Sequence, residues 1–213
     1  LASGRPANHT PPGMAIKSAV LLGWFALSWA LMVFAASAWW QSAACCVSLG
    51  LAMAGIGFSI QHDGGHTGYS QHRWVNAVMA FTLDLLGGSS YLWHWKHNVF
   101  HHANPNVTGL DEDIDLRPLA RLSPVQGRRS WQRFQHLYIW PLYSLLAIKW
   151  HFFDDYLKLA TGRIGAQAFP RPTGWKLATL IFGKVCFLGW AFALPLLWLP
   201  WPRHHQRFDI VAN

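Results

Sequence analysis

The chain has 213 residues, of which 52% are apolar and only 12% charged, with 14 tryptophans and a formal charge of +8. That balance excludes an ordinary soluble domain, and the basic charge comes with no recognisable nucleic-acid module, so no nucleic-acid partner is expected and a basic membrane face is the better reading. A single glutamate, Glu112, excludes the HExxH metalloproteases and the carboxylate-bridged di-iron bundles, which need several.

In chain order, residues 1–14 are polar and proline-containing and read as a flexible tail. Residues 16–38 are apolar and uncharged apart from Lys17 near their start, longer than the roughly 20 residues that cross a bilayer. Ala36-Ser37-Ala38 resembles a signal-peptidase site, but the run before it is too long for a signal h-region. A second uncharged run, 39–60, follows after a short joint, so the two predict a transmembrane hairpin. Gly50, Gly55 and Gly57 in it allow close helix approach. The middle region, 61–176, holds 12 of the 17 lysines and arginines. Within it, 75–88 and 137–153 are partly apolar and interrupted by Asp84 and Lys149, which predicts interfacial or semi-buried helices. Residues 177–201 form a third span carrying Lys184, which must either snorkel or face protein. Adjacent Cys45 and Cys46, and Cys186, lie in apolar runs with no CxxC spacing, so neither a disulfide framework nor a zinc ribbon is indicated. By the positive-inside rule, the N-terminus and the middle region are cytoplasmic.

Chemistry is concentrated in the histidines. His62-Asp63-Gly64-Gly65-His66 follows the second span directly, and Trp93-His94-Trp95-Lys96-His97-Asn98-Val99-Phe100-His101-His102 lies further on. On an α-helix a spacing of four stacks two imidazoles on one face, which holds for His62 with His66 and for His97 with His101. His102 is turned about 100 degrees from His101 on such a helix, placing it toward a second metal or an outer-shell bond. Nitrogen ligands suit iron, copper, nickel or zinc alike. Five imidazoles exceed the four of a tetrahedral zinc, so two metals are favoured. His72 and His94 read as outer-shell or surface residues, and His9, His136, His151, His204 and His205 as surface or interface residues.

These boxes, together with Asn106-x-x-Gly109-x-Asp111-x-Asp113-Ile114, resemble the first two histidine boxes of the membrane fatty acid desaturase family, in particular bacterial linoleoyl-CoA-type enzymes, over residues 15–201. The resemblance implies an all-α integral membrane protein, a transmembrane helical hairpin plus cytoplasmic and interfacial helices bearing the boxes and a third span, in a bacterial inner membrane. It implies two non-haem iron ions, O2 as co-substrate, a membrane lipid or acyl-CoA substrate, and electrons from a separate ferredoxin or cytochrome b5 type donor. His62, His66, His97, His101 and His102 are then the expected iron ligands, with no catalytic residue beyond them. Asp63 and the acidic turn Asp111, Asp113 and Asp115 are candidates to bond the outer nitrogens of these rings, the turn's alternative being a solvated loop, and Trp93 and Trp95 either line an acyl tunnel or anchor the membrane interface. A hydroxylase or ketolase of the same superfamily, or a non-catalytic membrane relic, are the rival readings.

The family pattern has a third box, HxxHH or QxxHH. His204-His205 is preceded by Trp201 and does not fit it, and residues 202–213 turn abruptly polar, as a truncated or frameshifted gene would. The expectation is that these 213 residues alone do not desaturate.

Overall fold

A computed structural model of the chain describes residues 12–198. The first tail, all but its last three residues, the polar segment 202–213, and His9, His204 and His205 lie outside the described residues. Three helices are long and apolar enough to cross a membrane: α1 (Pro12–Ala35), α2 (Trp39–Gly65) and the last helix, α6 (Gly174–Trp198). They match the three expected spans to within a few residues. α1 and α2 form the predicted hairpin, broken at Ala36, where the backbone turns extended, and restarted at Ala38. The Gln41 side chain caps the restart by accepting the Ser37 and Ala38 amide hydrogens at 2.8 and 3.0 Å. Most side chains of these helices face outward, with Phe58 81% and Trp175 80% exposed, as lipid-facing surfaces are.

Between the second and third spans lie α3 (Arg73–Leu85) and α5 (135–161), where partly apolar helices are expected at 75–88 and 137–153, and α4 (90–101), which carries the second histidine box. A small apolar core of Ile56, Ile60 and Leu86, with Leu21, Phe25, Met53 and Met79 against it, locks α3 to the hairpin. Gly64 makes this approach possible: a Cβ there would lie 2.6 Å from the Met79 Cβ and 2.7 Å from the Ala80 nitrogen. A two-stranded antiparallel hairpin, β1 (Arg163–Ile164) and β2 (Gln167–Ala168), is the one departure from an all-α fold among the described residues. Its Ile164, with Phe169 just beyond it, packs on Leu92 and Phe100 of α4 and so clamps the second-box helix from outside.

Lys184 of α6 resolves as a residue facing protein. It is 7% exposed and donates to the Asp155 carboxylate of α5 at 2.6 Å and to the Gly87 carbonyl at 2.5 Å. Asp155 is fully buried, so each charge offsets the other's desolvation, and either alone would be strongly unfavourable. The pair ties the third span to the middle region. His151 is corrected by the structure. Instead of lying at the surface, it is partly buried between α5, the α3 end and α6, with Nε2 at 2.9 Å from the Leu86 carbonyl and the ring 5.3 Å from Phe187. The apolar run around it buries this polar ring because a backbone acceptor waits there. His136 is exposed, as expected.

Candidate metal centre

Both histidine boxes end up side by side at one end of the hairpin. His62 and His66 lie at the end of α2, their ring centroids 4.5 Å apart. The second box lies on α4, where the chain winds as a π-helix from His94 to His101. The His102 amide therefore bonds the His97 carbonyl, five residues back, instead of the Asn98 carbonyl that an α-helix would use. This wider turn also brings His102 toward His97. In a π-turn residues five apart come closer to line than on an α-helix, and the His102 ring stands 4.8 Å from His97 and 5.4 Å from His101. His101 stacks on His97 at 5.1 Å with planes 12° apart. Across the boxes, His97 lies 5.7 Å from His62 and 5.3 Å from His66, and His66 lies 4.9 Å from His102. All five predicted rings thus converge, with His97 at their centre.

Ligand atoms fall into two overlapping groups, each within 4.8 Å: His62, His66 and His97, and His97, His101 and Asp113. The His97 Nε2 is buried with no hydrogen-bond partner among the described residues. A buried nitrogen lone pair without a donor is unfavourable unless something binds it, so this observation fits a metal at the centre. His66 fits too. Burial, followed by the charges of His62, His97 and His102, lowers its pKa to about 4, which keeps the ring neutral, the form a metal requires.

The acidic turn supplies the outer bonds. Asp111 is 1% exposed and accepts from the Asn106 amide at 2.8 Å, the Asp113 amide at 2.9 Å and the His101 Nδ1 at 3.0 Å. A carboxylate can only accept, so His101 carries its proton on Nδ1 and leaves Nε2 free. Asn106 adopts a left-handed conformation, φ 62°, that turns its amide toward Asp111. Asp113 lies 3.3 Å from the His97 Nδ1 and 2.8 Å from Lys96 Nζ. Burial alone would raise its carboxyl, but the His97 bond and then Lys96 overcome this and hold it well below the usual carboxylate range. Lys158 pairs with Glu112 at 2.7 Å in the same turn. Asp115 takes no part. It binds Arg117 in a two-pronged pair at 2.8 and 2.6 Å, because the arginine two residues on offers a matching fork. Asp63 is 3.7 Å from His62 Nδ1, beyond a hydrogen bond, and 3.5 Å from Lys17.

Some functional side chains escape sequence reading. Asn98 donates to the Gly65 carbonyl at 2.7 Å and so joins the two boxes directly. Trp93 stacks on His97 at 4.5 Å and stands 5.4 Å from His66, a wall of the centre in place of an interface anchor, while Trp95 packs on the apolar cluster around Leu92. A Cβ at Gly65 would collide with the Trp93 ring, so only glycine lets the two elements close. The one sequence signal for these roles is their position inside the boxes. His94 is exposed, with its ring edge-on to Trp95, and exposed His72 precedes α3 outside the cluster.

Comparison with known proteins gives a consistent assignment. Over 181 residues the chain is 37% identical to the sn-1 linoleoyl-lipid 6-desaturase of Arthrospira platensis, covering 83% of this chain and 49% of that protein. It is 35% identical over 185 residues to the protein of the same description from Synechocystis sp., covering 87% and 52%, and 35% identical over 186 residues to the acyl-lipid (8-3)-desaturase of Physcomitrium patens, covering 86% and 39%. The chain thus spans about half the length of the first two of these relatives, and less of the third. No solved structure matches it. The family model for fatty acid desaturases matches residues 37–208, most of the chain and both histidine boxes, and the chain belongs to the fatty acid desaturase family.

Proposed function

We propose that these residues form the metal-holding part of an O2-dependent acyl desaturase that introduces a double bond into a lipid-borne acyl chain. The observation that carries this reading is the convergence of five imidazoles around His97, whose buried Nε2 lacks any partner among the described residues. Relatives named as acyl-lipid desaturases support the substrate class. Two non-haem irons, held by His62, His66, His97, His101 and His102, would supply the O2 reduction and C–H oxidation that no protein side chain performs.

The chain's own residues do the holding. Asp111 fixes the His101 proton on Nδ1, and Asp113 faces the His97 Nδ1, so the Nε2 atoms of both rings are aimed inward. Lys96 and Lys158 balance the acidic turn, which would otherwise repel itself. Trp93 closes one side of the centre by stacking on His97. Reducing equivalents come from a separate ferredoxin or cytochrome b5 type protein in this reading, and the basic middle region, 61–176, faces the cytoplasm of a bacterial inner membrane.

The test is to purify a version of the chain completed to the length of its relatives from cells supplied with iron, measure metal content, and analyse the fatty acids of the host with a ferredoxin system present. Two irons per chain, lost together in His97→Ala, support the site. New double bonds support the reaction, an inserted oxygen turns the reading to hydroxylation, and a chain that binds no iron removes the proposal.

A further inference from the structure

Beside the metal centre lies a cleft of about 700 Å³ between the end of α2, the start of α3 and the start of α6. The ends of two membrane spans meet there, which sets it at the level of lipid headgroups. Gly65 and Trp93 line it on one side, and that same Trp93 ring stacks on His97, so cleft and centre share a wall.

Three of its neutral polar side chains are already engaged by the protein. Asn76 accepts from the Ser70 amide at 2.8 Å and donates to the Ser70 carbonyl at 2.6 Å. The Tyr91 hydroxyl donates to the Pro170 carbonyl at 2.7 Å, and the Thr179 hydroxyl bonds its own helix at 3.0 Å. Arg73 and Lys176 differ. Both line the cleft, no aspartate or glutamate lines it, and neither cation is in an ion pair among the described residues. Lys176 is held over the Tyr91 ring at 5.4 Å, which keeps its charge beside the cleft. Two cations with no carboxylate opposite them suit an anion, at headgroup depth, one tryptophan away from the rings.

We propose that this cleft binds a phosphate ester on the acyl carrier, held by Arg73 and Lys176, and so docks the carrier beside the metal centre. The inference rests on the lipid-desaturase reading for the chemistry after docking, but binding is measurable without turnover. Arginine offers a fork that matches two phosphate oxygens and lysine a point charge, a pairing suited to a phosphate and ill-suited to an uncharged sugar. Two sources carry this chemistry, the headgroup phosphate of a phospholipid and the phosphates of an acyl-CoA.

Native mass spectrometry of the detergent-solubilised chain, titrated with dioleoyl-phosphatidylglycerol, oleoyl-CoA and a monogalactosyl diacylglycerol, separates them. At least one phosphate carrier is expected to bind about tenfold more tightly than the galactolipid, two charge-assisted contacts being worth that much. The Arg73→Gln/Lys176→Gln double variant should fall to the galactolipid level, Lys176→Arg should keep most of the affinity, and Arg133→Gln, outside the cleft, should change nothing. Preference for phosphatidylglycerol assigns the carrier as phospholipid, and preference for oleoyl-CoA assigns it as CoA. Equal binding of the galactolipid, or a double variant that retains helical content and binds phosphate carriers undiminished, overturns the proposal. Iron content read on the same samples reports separately on the desaturase reading.

Discussion

The two histidine boxes are held in place by different forces. His97 and His101 are oriented by carboxylates, Asp113 and Asp111, presented by a separate turn. His62 and His66 have no hydrogen-bonded carboxylate among the described residues; they are held by close packing, Gly64 against α3 and Gly65 against Trp93, and His66 is further kept neutral by burial. The difference follows from where each box sits. The first ends a membrane span, where charge is costly, and packing is the available restraint. The second lies on an interfacial helix beside a polar turn, where a buried carboxylate can be satisfied by backbone amides.

Variants of the two boxes should therefore respond unequally. His97→Ala should have the largest consequence, because His97 belongs to both candidate ligand groups. Loss of iron from the whole centre is expected, whereas His62→Ala should leave the second group able to bind, and metal analysis of both variants compares them directly. Next, Asp111→Asn should weaken iron binding by about 10- to 100-fold, the usual cost of losing an outer-shell partner, because an amide no longer fixes the His101 tautomer. Asp63→Asn, whose carboxylate is too far from His62 to bond it, should change affinity much less, and equal losses in competition titrations with a chelator would erase the distinction.

The pH dependence of the metal-free chain should carry a contribution from the first box, which a variant of His66 separates from that of His151, whose pKa burial also lowers to about 4. His66 has a folded pKa of about 4 against an ordinary 6.5, so in that window the unfolded state binds the extra proton and the folded state does not. Stability from this group is then complete above about pH 6.5 and is lost as pH falls toward 4. Thermal melts of the wild-type chain should show this slope, and His66→Phe should reduce it, leaving the part that His151 contributes; an unchanged slope would mean that the His66 ring protonates freely in the fold. The smallest effect is expected from Asn98→Ala, which removes the bond to Gly65 that joins the boxes. About 1 kcal/mol of stability should be lost, with modestly weaker iron binding, as read from denaturant midpoints.

Much of this architecture was legible in the sequence. Long uncharged runs fix the spans, because a bilayer admits only segments whose backbone bonds are satisfied internally, and the three helices fall where those runs lie. The ligand candidates were legible too, since clustered histidines at helical spacing survive any detail of winding, and all five converge. Packing between segments settled the rest. The π-helical winding that brings His102 to His97 leaves no mark in residue spacing, because i, i+4 and i, i+5 pairs are both present in His97-Asn98-Val99-Phe100-His101-His102. Four aspartates stood equal as partners, and only the folded turn separates Asp111 and Asp113, which reach the rings, from Asp115, which is captured by Arg117. Lys184 could have snorkelled to the surface, and its burial against Asp155 depended on a residue 29 positions away. Local pattern determines which segments enter the membrane and which residue types gather, because hydrophobicity and charge act along the chain. Which partner each buried polar group takes is settled by geometry between segments, where a shift of one hydrogen bond changes the answer.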